Sequence, residues 1–477
     1  MCDDNGDGTL RAVAWTDICP WLRLFRCFRL AIGFGFPLLL AAVAILLTVT
    51  GWALFGWVFS GDPEIARQLG PYKGCPWLAL TSVVPDELDE LGLPAPPLGF
   101  GRDEPTPYAD VGSPESIFRR SAEPFWGSFA QLSRPLWQIF SSDVTVTKLA
   151  YLALCGLWSL AIWAFFGGAI ARRAAVELAC EEHVGAGAML RYACKRWSTY
   201  FSAPLLLVVG IAAIALGLAL AGILLHWNLT AALAGLFLWP LMLLGGLAIT
   251  YLLVWLMLGW PLMWGATSAE GQDSFDALSR SNQYLFQRPL HYLFYVVVAV
   301  VIGWLGWVVV SNFAGAVIAL THWAADWGAD SSRWLADGSG GRQVDALLSD
   351  TAEVGIVGAF GSGLILFWCG CVKMLAVGFL YSYFWTASTC IYLLLRYDAE
   401  GKELDSVFLE EEEDEATYGL PPIGTDEAGA PVVEDDAAPP DDAAPPGESQ
   451  SGGEGEPPTE SEGNEPPSEG DERSDQT

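Results

Sequence analysis

The sequence predicts an all-α fold: a polytopic helical membrane bundle of about six transmembrane helices, ending in a disordered acidic C-terminal tail. Three observations carry that prediction. Residues 31–59, 149–170, 203–225, 231–266, 292–320 and 356–395 are long apolar runs with almost no charge. Each is long enough to cross a hydrocarbon core of ~30 Å, which takes roughly 20 helical residues. Lys and Arg collect in alternate connecting segments, as the positive-inside rule requires of a multi-pass chain. The last 70 or so residues lose apolar content and gain acids.

The formal charge of −31 belongs mainly to that tail. From Glu403 to Thr477 there are 25 acids and one base, a net −24, which leaves −7 for the rest of the chain. A nucleic-acid partner would need a dense basic patch, and there is none. Of the ten cysteines only Cys75 falls in the long outer loop, so no disulfide framework is expected.

Residues 1–30 form a cytoplasmic N-terminal segment carrying Arg11, Arg23, Arg26 and Arg29 ahead of the first span, 31–59. That span is too long for a cleaved leader and reads as a retained anchor. Residues 60–147 make an extracytoplasmic loop. Its first half is rich in Pro and acids. In its second half Pro114 opens a helix near 114–141, with Phe118, Phe125, Trp126, Phe129, Leu132, Leu136, Trp137 and Phe140 at near-helical spacing. Such a stripe either lies in the membrane interface or packs under the loop itself.

Residues 148–395 hold spans two to six. Two elbows interrupt them on the cytoplasmic side, 171–200 and 268–291. Each elbow has an acid, a Gly, a Leu near an Arg, and aromatics just before the next span, which hints at a duplicated elbow-plus-hairpin unit. In the second elbow Asp273 or Ser274 caps a helix and Pro289 ends it. The cytoplasmic loops carry Arg172, Arg173, Arg191, Lys195, Arg196, Arg280 and Arg288, whereas the shorter outer loop has only Arg333 and Arg342. Both termini are therefore placed in the cytoplasm. Residues 396–477 form the tail, too poor in apolar surface to offset the entropy of ordering.

Chemistry-bearing residues are few. Lys373 is the one ionisable Lys, Arg, Asp or Glu in the last apolar run. An ionisable group inside a span is a functional candidate by default, but near either interface it snorkels. The same run could also turn as a hairpin near Lys373. Arg280 and Arg288 are the candidates in the second elbow. Cys180, His183 and Cys194 share one loop, but their C-x2-H-x10-C spacing is not a standard zinc arrangement, and a solvated loop is the plainer reading. No Ser-His-Asp, P-loop or HExxH pattern occurs. No catalytic residue, cofactor or metal is expected, and the partners expected are the lipid bilayer and other membrane proteins.

The strings SFDALSRSNQYLFQRPLHYLFY (274–295) and YFWTASTCIYLLLRYDAEGKELDSV (383–407) resemble multi-pass membrane proteins of planctomycete bacteria that carry no known activity. The resemblance covers most of the membrane part, but neither the 60–110 loop nor the tail. It implies a bacterial inner membrane with the outer loop in the periplasm. The function expected is a non-enzymatic scaffold or accessory component. The rival is a transporter or channel built from helical hairpin repeats, drawing on Lys373 and the glycine-rich fourth and sixth runs.

Overall fold

The structure, a computed structural model, describes residues 19–33, 36–62, 145–181, 183–223, 238–329 and 356–401, four isolated positions, and two short strands in the tail. Among the described residues nine α-helices follow one another: α1 (Arg23–Ile32), α2 (Phe36–Val58), α3 (Val146–Ala179), α4 (Ala186–Lys195), α5 (Trp197–Ile223), α6 (Trp239–Glu270), α7 (Ser274–Gln287), α8 (Pro289–Ala329) and α9 (Ile356–Glu400). Six of them, α2, α3, α5, α6, α8 and α9, are long and apolar enough to cross a membrane. In lipid a backbone N–H must find its acceptor within its own segment, which is why these runs are helical. The expected helix near 114–141 and the loop before it lie outside the described residues.

The order of elements repeats. A short amphipathic helix, an outbound span and a return span occur three times: α1–α2–α3, α4–α5–α6 and α7–α8–α9. The return helices α3, α6 and α9 pack against one another in the middle, and each elbow packs on the return helix before it: α4 on α3, α7 on α6 and, closing the circle, α1 on α9. All three return helices stop at a left-handed residue, Glu181, Gly271 and Gly401, with φ of 58°, 63° and 65°. A left-handed residue after the last turn is a common helix stop and favours glycine.

Several boundaries differ from those read in the sequence. The first span begins at Phe36, and residues 23–32 form a separate helix with Leu24, Cys27 and Ala31 buried. Spacing explains this: Arg23, Arg26 and Arg29 recur every third residue and leave an apolar face for α9, and Gly33 ends the helix. The second span, α3, runs on to Ala179, well into the expected elbow. Residues 356–400 form one continuous helix of 45 residues, which removes the hairpin at Lys373.

Buried polar side chains crowd into one end of the bundle. Arg172, Glu177, Thr199, Ser268, Ser281 and Arg396 are among them, and Thr48, Ser382 and Thr386 lie nearer the middle of their spans. At the other end the packing is apolar and looser. Beyond Ile211 on α5 and before Leu256 on α6 no described residue is buried. There the two helices touch mainly each other, with Leu218 against Gly245 and Leu252 against Gly210.

The tail from Glu410 is a separate unit. Its described residues are two strands, β1 (Ile423–Thr425) and β2 (Pro431–Val433), paired antiparallel with Ile423 opposite Val433. A two-stranded pair this short is marginal in water on its own.

Candidate functional site

The densest polar arrangement is built at the end of α6. Glu270 is the last residue of that helix, where the backbone dipole disfavours a negative charge. Five contacts from four side chains compensate. Tyr392 donates its hydroxyl to Oε1 at 2.8 Å and Gln272 its amide to Oε2 at 2.7 Å. Arg280 reaches Oε1 at 3.3 Å and Oε2 at 3.0 Å, and Arg396 lies 3.5 Å from Oε1. The carboxylate keeps only 11% of its side-chain surface and Arg396 only 2%.

Arg280 links this node to the end of α9. Its guanidinium also donates to Glu400 at 3.2 Å, and Tyr284 donates to the same carboxylate oxygen at 2.5 Å. Tyr295 on α8 donates to Asp398 at 2.6 Å. Burial, then the bond to Glu400, push the Tyr284 phenol well above its ordinary range. Burial opposes the charge on Arg280, but Glu270 and the phenols of Tyr284 and Tyr392 outweigh it, so the guanidinium is held above its usual value.

A second group adds side-chain donors to the last carbonyls of α6, that of Thr267 also accepting from the Gly271 N–H. Arg172 donates to the Ser268 carbonyl at 2.7 Å, and Tyr192 donates to that of Thr267 at 2.7 Å. The Arg172 guanidinium also sits 4.2 Å above the Tyr192 ring. A cation at a helix C-terminus is favoured by the dipole, so the same arginine serves both needs. On α3, Glu177 accepts from Arg173 at 2.7 Å with His183 at 3.6 Å, and Glu181 takes Arg26 of α1 at 2.8 Å.

Above these groups the bundle is closed by rings. Trp264 and Trp385 stack with centroids 4.1 Å apart, flanked by Trp163 and Trp260. Gly167 on α3 admits them: a Cβ there would stand 2.6 Å from Trp264 and 3.0 Å from Trp385. The hydroxyls on α9 turn to backbone: Ser382 to Ala31, Thr386 to Ser382, and Ser388 and Thr389 to Trp385.

The candidates from sequence fare unequally. Arg280 is a central member of the network. Arg288 caps the end of α7 and is exposed. Lys373 is half-buried on α9, 23 residues from Arg396. That separation is about 35 Å of helix at 1.5 Å per residue. Cys180, His183 and Cys194 do not converge. Among the described residues no group of three His, Cys, Asp or Glu is placed to hold a metal ion, and all eight described cysteines are free thiols.

Sequence reasoning missed Glu270, Tyr284, Tyr392, Arg396, Asp398 and Glu400. A signal was present: α6 and α9 both end in Ala-Glu-Gly, at 269–271 and 399–401. Chemically the network is a tie. Its central carboxylate is saturated by donors, so it is poorly placed to accept a proton from a substrate. Comparison with protein families, curated proteins and solved structures returns no match to this chain.

Proposed function

We propose that this chain is a non-enzymatic integral membrane component, a scaffold or accessory subunit, seated in a bacterial inner membrane with both termini in the cytoplasm. One observation carries the reading: the middle of the bundle is filled by the Trp163, Trp264 and Trp385 rings. The hydroxyls beside them are bonded to backbone, and the buried charges at the polar end are tied to one another. A transport route needs polar groups that a solute or ion can reach at mid-membrane, and this packing offers it satisfied hydroxyls and close-packed rings, of which the Trp163, Trp260 and Trp385 indole N–H groups are buried with no acceptor among the described residues. The sorting of Lys and Arg supports the orientation, and the strings at 274–295 and 383–407 support the bacterial membrane.

Reconstitution tests it. Proteoliposomes holding the purified full chain should show no flux of small ions or solutes above protein-free vesicles, and Lys373→Ala should change nothing. A flux abolished by Lys373→Ala would overturn the scaffold reading in favour of transport. Orientation is tested by a single cysteine at position 450 in a chain otherwise free of cysteine. It should resist an impermeant reagent in intact cells.

A further inference from the structure

The arginines of the polar end fall into three groups, apart from the half-buried Arg23. Arg26, Arg173, Arg196, Arg280 and Arg396 each lie within 4 Å of a carboxylate. Arg172 serves the Ser268 carbonyl. In contrast Arg29, Arg191 and Arg288 are exposed, and among the described residues no carboxylate pairs with them. Their distribution follows the threefold order of elements: Arg29 lies on α1, Arg191 on α4, and Arg288 between α7 and α8.

Each of these elbows also exposes a large apolar side chain close in sequence to its arginine. Phe25 is 55% exposed, four residues before Arg29 on the same helix face, and Phe286 is 48% exposed, two before Arg288. Trp197 is 38% exposed at the turn after α4. Each elbow leads within a few residues into a membrane-crossing helix, so it stands where acyl chains give way to headgroups. On α1 the ring of Phe25 and the guanidinium of Arg29 share a helix face, and at each elbow an exposed ring and an exposed guanidinium suit that boundary: the ring favours the interface, and the guanidinium matches a phosphate with two parallel donors.

We infer that the three elbows form a ring of sites for anionic phospholipid headgroups, with Arg29, Arg191 and Arg288 as the phosphate contacts. The ring goes beyond the scaffold reading and does not depend on it. A basic residue near an anionic surface contributes about a fivefold preference at low salt. Phosphate caught from solution would share the guanidinium chemistry but not the aromatic neighbours, and the exposed rings favour the lipid.

The test is spin-label electron paramagnetic resonance on the full chain in phosphatidylcholine bilayers. Trace spin-labelled phosphatidylglycerol is compared with spin-labelled phosphatidylcholine in the motionally restricted shell. The expected result is a several-fold preference for phosphatidylglycerol at low salt, falling towards unity at 0.5 M NaCl as screening shortens to a few ångströms. Arg29→Gln, Arg191→Gln and Arg288→Gln together should abolish it with circular dichroism unchanged, and each alone should lower it, which serves if the triple variant is poorly behaved. Arg26→Gln, which removes a paired arginine, should leave it intact. Equal association of the two lipids, or a preference surviving the triple substitution, would overturn the proposal. So would its removal by inorganic phosphate at constant ionic strength, which would make the sites free-phosphate sites.

Discussion

Glu270 shows how much a single side chain can hold at the end of a membrane helix. Removing it would take a carboxylate from the guanidinium of Arg396, which is only 2% exposed. Breaking a buried pair from one side costs about 3–5 kcal/mol, so Glu270→Ala should lower the thermal midpoint in detergent by many degrees. Arg288→Gln, at an exposed position, should shift it by no more than experimental scatter. Alkaline pH probes the same network. The Tyr284 phenol ionises less readily in the folded chain than its ordinary value of about 10. Stability is therefore whole below pH 10 and declines above it, where the unfolded chain gives up that proton and the folded one retains it. Tyr284→Phe should flatten the decline in a pH series of thermal melts, and an unchanged slope would show that Tyr284 does not contribute.

At the scale of elements, helix ends and helix contacts make different demands. Glu181 occupies a left-handed conformation that its counterparts Gly271 and Gly401 adopt without a Cβ. Glu181→Gly relieves roughly 1 kcal/mol of backbone strain and loses an exposed pair with Arg26 worth about 0–1 kcal/mol. The net should be near zero, whereas Gly401→Ala should cost about 1 kcal/mol despite open space around it. Close approach sets the other demand. A Cβ at Gly378 would stand 2.7 Å from the Leu38 carbonyl oxygen, part of a helix backbone that cannot swing aside. Gly378→Ala should therefore destabilise by about 1–3 kcal/mol. Gly217, with nothing within 4 Å, should accept alanine at no cost to packing. Urea titrations of the two variants side by side would separate them.

For the whole molecule, the spans were legible because a hydrocarbon core permits only one solution for 20 apolar residues. Their number and class follow from that alone. The elbow α1 was not, because three arginines in ten residues hide an apolar face that matters only once α9 is beside it. The polar network was half legible. Arg280 stood out as a cation, but Glu270 and Glu400 acquire meaning only when chain ends 130 residues apart meet. The tail belongs to this scale too. Its dense acidic run starts at Glu410, just after the first unit ends at Leu409, so truncation there should leave membrane insertion and the thermal midpoint unchanged. A large fall in either would show that the tail contributes to the fold.

The seat of α1 has a consequence for biosynthesis. The elbows α4 and α7 each dock on a helix already made, but α1 docks chiefly on α9, the last of the described helices to leave the ribosome. Leu24, Cys27 and Ala31 lack their main cover, α9, until about 370 further residues have been added, although α2, α3 and α8 also touch α1. At roughly 5–20 residues per second that is on the order of 20–70 s. During that interval the Cys27 thiol, fully buried in the finished protein, stands open to a membrane-permeant alkylating reagent. A pulse of such a reagent on nascent chains should mark Cys27 until α9 arrives and then cease to.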